Sequence, residues 1–434
     1  MSQYLLQDIL QKMDIEKLNP MQEEALIHIS SQTDVVLLSP TGTGKTLAFL
    51  LPLIEKLDVK QEVQLLILVP ARELAIQIEQ VIRKMGTGFK VNSVYGGHSH
   101  SKDKINLQHR PAILVGTPGR VASHVRKRSF DLESISYLVL DEFDKALEIG
   151  FEQEMKEIIQ SLPQIKQRVL TSATQEIEIP SFVLLQNPRY INTLGETNEQ
   201  LKICRIVSPA KDKLSTLYAT LCSLGNQAGI IFCNFKDSIE RVSEFLRRHN
   251  ISHACFHGGM EQKDRERSLI MFRNGTHRLL LATDLAARGI DVPEIDFVLH
   301  YHLPNRENEF IHRNGRTARM CKGGRAYILH WKEDVLPDFV RVYPKKEIHS
   351  QHPPTQTKWE TIFISGGRKH KISKGDIAGL FIKQGKIHPE QLGLIEIKQD
   401  CTFVAVHKDV SSMIVTQLNN RRVKKKKVRM YLLK

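Results

Sequence analysis

Val35-Val-Leu-Leu-Ser-Pro-Thr-Gly-Thr-Gly-Lys-Thr46 is the stretch on which the fold turns. Four apolar residues run straight into a loop containing Gly42 and Gly44. Apolar residues then recur at helical spacing through Leu47–Leu57. A buried strand, a tight turn and a helix in that order form the setting of a phosphate-binding loop. The glycines let the backbone curl, so that N–H groups from Thr41, Gly42, Thr43 and Gly44 face a polyphosphate at the positive end of the helix. Lys45 would bring its charge to the β- and γ-phosphates, and the Thr46 hydroxyl would bind Mg²⁺. The general form of this loop has glycine six residues before the lysine; here that position is Ser39.

Outward from this loop, short apolar runs alternate with helical patterns from residue 33 to about 190. Val35–Leu38, Val63–Val69, Val91–Tyr95, Ala112–Val115, Tyr137–Leu140 and Val169–Leu170 read as buried strands, with helices at Leu47–Leu57 and Glu73–Met85. Alternation of this kind predicts a parallel sheet covered by helices. The pattern restarts at Gly229–Phe232, His253–Phe256, Arg278–Ala282, Phe297–Tyr301 and Ala326–Leu329, with helices at Ser238–His249 and Lys263–Phe272. Polar Thr193–Gln200 reads as the hinge between two sheets, and Pro337–Lys358, rich in Pro, Lys, His and Gln, as a linker. Beyond it, strands at Thr361–Ser365, Leu394–Lys398, Phe403–His407 and Val428–Leu432 surround helices at Lys374–Gln384 and Val410–Leu418, a βαββαβ order. The expected domains are residues 1–195, 204–336 and 359–434, with 337–358 between the last two.

The chain has 434 residues, 41% hydrophobic and 25% charged, enough for several cores. Its apolar runs, such as Leu65–Val69 and Ile230–Cys233, are strand-sized, far below the ~18 residues of a membrane span. The first residues have no basic start and apolar stretch of a secretory signal, and the six scattered cysteines form no Cys-x-x-Cys pair. These features predict a cytoplasmic protein with reduced thiols. Net charge is +14, and Trp359–Lys434 carries sixteen Lys/Arg against six Asp/Glu, a net of +10. So concentrated a positive field makes nucleic acid the expected partner.

Tyr137-Leu-Val-Leu140 leads into Asp141-Glu142-Phe143-Asp144. Asp141 is placed to hold Mg²⁺ and Glu142 to deprotonate an attacking water, two tasks that need separate carboxylates. In His312-Arg-Asn-Gly-Arg-Thr-Ala-Arg319, Arg316 and Arg319 are three apart and would share one face of a helix. Guanidinium groups there would stabilise charge on a transferring phosphoryl group. His98/His100 and His300/His302 have alternate spacing but no Cys or carboxylate partners; Gly-rich turns and solvent-facing histidines are the simpler account.

Together these motifs resemble the DEAD-box RNA helicases across residues 4–330, in order and with plausible spacing. The resemblance implies two tandem RecA-like parallel-sheet domains, ATP with Mg²⁺, and RNA-dependent hydrolysis. It places the nucleotide-sensing glutamine at Gln22 in Asn19-Pro-Met-Gln22, with the upstream aromatic position at Leu5, beside Tyr4. RNA contacts would come from Pro70-Ala-Arg72-Glu-Leu-Ala75, Gly96-Gly97, Thr117-Pro-Gly-Arg120, Arg265 of Gln262-Lys-Asp-Arg265, and Thr283. Ser172-Ala-Thr174 would couple ATP to RNA through Asp144, and Gly289 and Asp291 would touch the nucleotide. Two departures stand out: Phe143 where the family has Ala, and Met320-Cys321 where small residues are usual. Phe143 raises the alternative of a weakly hydrolytic, nucleotide-gated RNA clamp.

Ile362-Phe-Ile-Ser-Gly-Gly-Arg-Lys-His-Lys371 and Lys374-Gly-Asp-Ile-Ala-Gly379 resemble the RNA-binding domain of DbpA-type helicases, a small α+β, RRM-like fold. That resemblance suggests 23S-type, large-subunit ribosomal RNA as target, a role in ribosome assembly and a monomeric enzyme. Phe363 and Phe403 are the strand aromatics available for stacking bases, though each reads equally well as core. Arg368, Lys369 and Lys371, with the basic run Arg421–Arg429, are the expected RNA contacts.

Overall fold

The computed structural model describes the chain except residues 1–2, 41, 60–61, 98–102, 104–106, 175–177, 195–200, 285–294, 318–322, 350–351 and 434; residues 3–5 are described as backbone only. It divides into two compact units that part near residue 200. In the first, β1 (Val35–Leu38), β2 (Leu65–Leu68), β3 (Val91–Val94), β4 (Ile113–Gly116), β5 (Tyr137–Leu140), β6 (Gln167–Ser172) and β7 (Arg189–Asn192) form one sheet. Their order is β3-β4-β2-β5-β6-β1-β7, and every pairing is parallel. The runs Val-Val-Leu-Leu, Leu-Leu-Ile-Leu and Tyr-Leu-Val-Leu are buried throughout, as a sheet covered on both faces requires. Helix Pro20–Ser30 starts with a reciprocal cap between Asn19 and Gln22. Helix Arg72–Met85 turns Leu74, Ala75, Ile78, Ile82 and Met85 inward and stops at left-handed Gly86.

The second unit holds β8 (Leu201–Ser208), β9 (Gly229–Phe232), β10 (His253–Phe256), β11 (Leu279–Ala282), β12 (Phe297–His300) and β13 (Gly324–Trp331) in the order β10-β11-β9-β12-β13-β8, again all parallel. β8 corrects the expected boundary at 204: it pairs with β13 from Leu201 onward. Residues 337–358 are no free spacer either. Helix Asp338–Arg341 buries Val340 with Phe310, Ile328 and Leu336. The Arg205 N–H donates to the Pro344 carbonyl, and Thr355 donates from N–H and hydroxyl to the Asn226 side chain.

The same unit continues into β14 (Trp359–Ile364), β15 (Leu392–Ile397), β16 (Thr402–His407) and β19 (Met430–Leu432), an antiparallel sheet ordered β15-β16-β14-β19, with a two-residue-strand hairpin of β17 (Arg422–Val423) and β18 (Lys426–Lys427). One face packs Ile362, Ile364, Val404 and Val406 against Ile377, Phe381, Ile414 and Leu418 of the two helices. The other face carries Phe363, Phe403 and Tyr431 in one cross-strand row. That face meets helix Gln262–Arg273: Phe403 and Leu433 pack with Ile270 and Met271. The Asn274 amide donates to Thr361 Oγ1 at 3.1 Å, and Arg273 pairs with Glu396 at 2.9 Å.

Candidate nucleotide and nucleic-acid sites

Strand order in the first sheet sorts the motifs. The ends of β1, β6 and β5, three neighbours, lead to Ser39, Ser172 and Asp141. The ends of β2, β4 and β3, also neighbours, lead to Pro70, Thr117 and Gly97. The residues expected at the nucleotide and those expected at RNA thus follow adjacent groups of strands at one end of the sheet, the end where open α/β sheets bind ligands.

In the phosphate loop Gly42 and Gly44 have φ of 86° and 88°, a left-handed backbone that glycine tolerates. Gly44 precedes helix Lys45–Glu55 without a side-chain cap, leaving the helix's first N–H groups for a ligand. The Lys45 ammonium donates to the carbonyls of Ser39 and Pro40, the latter at 3.0 Å. Thr43 Oγ1 donates to the Pro40 carbonyl at 2.9 Å and shares a hydrogen with Ser39 Oγ at 2.7 Å. Ser39 therefore braces the loop where the general motif has glycine. Gln22 accepts from the Asn19 N–H and donates to the Gly44 carbonyl at 3.2 Å, while the Asn19 amide donates to the Thr43 carbonyl at 2.9 Å. The expected nucleotide sensor is thereby tied to the loop itself. Thr46 follows in the helix; Thr41 lies outside the described residues.

Asp141 is buried at the end of β5, and its Oδ1 accepts from the Thr171 hydroxyl. Burial pushes its carboxyl up, opposed by the Thr171 hydrogen bond and the charge of Lys45. A buried carboxylate facing a lysine at a phosphate loop suits a divalent cation. Glu142 has φ 48° and ψ 49°, a strained conformation for a residue other than glycine, with its N–H donating to Thr171 Oγ1 at 3.1 Å. Thr171, which the sequence reading missed, is signalled only by its place on the strand beside β5. Phe143 is 1% exposed and joins Val36, Leu38, Leu138 and Leu170 in the core beneath the loop. Asp144 keeps its connection: Thr174 Oγ1 donates to Asp144 Oδ2 at 3.4 Å, and the Thr174 N–H donates to Ser172 Oγ at 2.9 Å.

Among the residues expected to touch RNA, the Arg72 guanidinium lies over the Gly96-Gly97 turn. A Cβ on Gly97 would come within 2.8 Å of it, and Gly97 has φ 91°. Pro70 and Ala71 lead into the helix that carries Arg72, and Thr117 precedes helix Pro118–Arg126. Arg120 is engaged differently from expectation. Its guanidinium pairs with buried Asp103 at 2.6 Å, and Asp103 also meets His124 at 3.2 Å. Through Asp103, Arg120 braces the turn at Thr117–Gly119.

In the second lobe Arg265 stacks over the Phe256 ring at 4.9 Å, and Thr283 follows β11, its N–H donating to the Phe256 carbonyl. The condition that Arg316 and Arg319 share a helix face is not met at Arg316: helix Glu307–Asn314 ends at Gly315, and Thr317 pairs with Ile295 as an isolated bridge. Arg316 is buried in the turn between them; Arg319, Gly289 and Asp291 lie outside the described residues. Arg313, not singled out from sequence, is 2% exposed. It makes a two-pronged pair with Asp284 at 2.5 Å, donates to Asn234 and the His302 carbonyl, and stacks on Phe232. His300 is also corrected: far from facing solvent, it is fully buried and bonds Asn314 at 2.9 Å. His98 and His100 lie outside the described residues.

The C-terminal domain brings its two basic clusters together. Lys424 of the hairpin donates to the Lys371 carbonyl at 2.6 Å and pairs with Asp376 at 2.9 Å. Hydrogen bonds from Ser373 and Lys424 hold the Asp376 carboxyl down to about 2. Lys369 pairs with Asp400, while Arg368, Lys371, Lys425 and Lys427 are exposed. Phe403 is covered by helix Gln262–Arg273, against which Phe363 also packs in part, while Phe363 and Tyr431 stack on each other at 4.7 Å.

Residues 19–181 match the family described as DEAD/DEAH box helicase, 212–321 the helicase conserved C-terminal domain, and 361–432 the DbpA RNA binding domain. The ATP-dependent RNA helicase DbpA of Bacillus subtilis is 31% identical, across 94% of this chain and 93% of its own. The chain belongs to the DEAD-box RNA helicases. The Escherichia coli ATP-dependent RNA helicase DbpA is 30% identical over 96% of this chain and 94% of its own. Among solved structures, S. cerevisiae Dbp5 bound to RNA and ADP BeF3 superposes with a TM-score of 0.68 at 27% identity, over 77% of this chain and 88% of that one.

This DEAD-box helicase is thus an RNA-dependent ATPase of the DbpA type, two RecA-like domains followed by an RNA-binding domain. Its unusual Phe143 is accommodated inward, where the lobe's core receives it, and the hydrogen bond between Asp144 and Thr174 stands.

Proposed function

We propose that this enzyme uses ATP with Mg²⁺ to part short RNA duplexes locally or to remodel ribonucleoprotein, acting as a cytoplasmic monomer on large-subunit, 23S-type ribosomal RNA. One observation supports the reading: the motifs expected to hold ATP and those expected to touch RNA follow neighbouring strands at one end of a single sheet. Contacts to the RNA backbone position a strand without reading its sequence, so separation is local and sequence-tolerant. Thr46 and Asp141 would hold Mg²⁺, which supplies charge neutralisation at the phosphates. Glu142 would orient and deprotonate water, Lys45 would bind phosphate oxygens, and Arg316 would stabilise the transferring group. The basic C-terminal patch would tether the motor to structured RNA. The buried Phe143 and the retained Asp144–Thr174 bond weigh against a weakly hydrolytic clamp.

Glu142→Gln should leave ATP affinity within about threefold of wild type and cut RNA-stimulated turnover at least 100-fold, a loss on the scale of removing a general base. Turnover near wild type would remove Glu142 from the proposed role. Equal stimulation of the wild-type ATPase by RNA and DNA of one sequence would remove RNA as the specific substrate. Crosslinking and sequencing of bound RNA in cells tests the ribosomal target.

A further inference from the structure

Phe235 is 68% exposed, yet it lies just past the end of β9, outside every apolar cluster among the described residues. In the second sheet β9 adjoins β11, and β11 adjoins β10. The residues after these three strands are therefore neighbours: Phe235 beyond β9, Thr283 beyond β11 and His257 beyond β10. Lys236 immediately follows Phe235 and reaches the turn after β10, where a Cβ on Gly259 would stand 3.7 Å from its Cδ. Arg265 lies over Phe256 of β10, and its charge and that of Lys236 both reach His257. Leaving a phenylalanine in water forgoes the gain of burying it. An aromatic face set among cations at the end of a nucleic-acid track is how single strands are held without sequence preference.

We propose that Phe235 stacks on a nucleobase of the same RNA strand whose phosphates Arg265 and Thr283 position. The inference rests on the reading of those two residues as RNA contacts. It adds a base-face contact to a surface otherwise built for the backbone. Stacking accepts any base, so the contact raises affinity and fixes one nucleotide's register without conferring sequence specificity.

The test uses the full-length protein, a non-hydrolysable ATP analogue and single-stranded RNAs carrying 2-aminopurine at successive positions. Wild type should change the fluorescence most at one register. Phe235→Ala should abolish that change and weaken RNA binding roughly 5- to 150-fold, the range of a lost base stack. The salt dependence should stay as in wild type, because no phosphate contact is removed. Phe235→Trp should keep both affinity and register. ATP affinity without RNA, unchanged in both variants, shows that the lobes are folded. If Phe235→Ala binds RNA like wild type while Arg265→Ala is weakened, stacking is wrong and the track stands. If Arg265→Ala and Thr283→Ala also bind like wild type, the track itself is wrong. Self-association that disappears in Phe235→Ala, with RNA affinity intact, would assign the ring to a protein contact and overturn the proposal.

Discussion

At Glu142 the backbone enters the left-handed region, a cost of about 1–2 kcal/mol for a residue with a Cβ. The strain is held by Thr171, which receives the Glu142 N–H and donates to Asp141. The placement of Asp141 and Glu142 at the end of a buried strand was legible from the sequence. Their geometry was not, because the bracing hydroxyl comes from another strand. Phe143 shows the same limit: the sequence marks it as unusual, but only packing shows that it fills the core. Phe143→Ala should therefore destabilise the first lobe by about 3–5 kcal/mol, the usual range for emptying a buried phenylalanine. Denaturant titration of the variant checks this, and a loss below 1 kcal/mol would mean that the ring is not needed as filler.

Among elements, the buried strands were readable because parallel strands covered on both faces are apolar at every residue. β7 and β8 were missed because they lie at sheet edges and are half exposed; Leu-Lys-Ile-Cys-Arg-Ile-Val-Ser has no continuous apolar run. The spacing of the arginine motif is compatible with a helix but does not require one, and Gly315 ends the helix before Arg316. What fills the space beside β12 is a buried polar group of His300, Asn314 and Arg313. Burial, reinforced by the Arg313 charge and opposed by the Asn314 hydrogen bond, pushes the His300 ring down to about 3. In the unfolded chain the ring takes its proton near 6.5, so stability is intact above that pH and falls as pH drops toward 3. Each pH unit in that window should cost about 1.4 kcal/mol from this ring alone. Equilibrium unfolding of His300→Gln at pH 7 and pH 5 checks it: the variant should lose less stability on acidification than wild type does.

For the whole molecule, composition and order disclosed two motor domains and a basic third domain. They could not disclose that the third domain's sheet packs on helix Gln262–Arg273, because Phe403 looks the same whether it awaits a base or a helix. Glu396 at this junction would be pushed up by burial, yet Lys398 and Arg273 hold its carboxyl below the ordinary range. The junction is thus strongest above pH 4.5 and weakens as pH falls through the depressed value. Arg273→Glu should loosen the domain by about 3–5 kcal/mol, and adding Glu396→Arg should restore much of it. Protease sensitivity of the segment before Trp359 reports the change; unaltered cleavage in the single variant would show that the pair does not hold the junction. Deleting residues 359–434 would also bare Ile270 and Met271, so poor solubility of the truncated motor should be separated from lost RNA affinity.

β2 borders β4 on one side and β5 on the other, and the Asp141 N–H donates to the carbonyl of Leu68. Adjacent strands stand only ~4.8 Å apart. On the proposed roles, a strain of a fraction of an ångström imposed where Pro70 would meet a distorted phosphodiester would therefore arrive at Asp141 and its neighbour Glu142 through a single hydrogen bond. A damaged or chemically modified strand should then register as a change in hydrolysis rate even where its grip on the protein is undiminished.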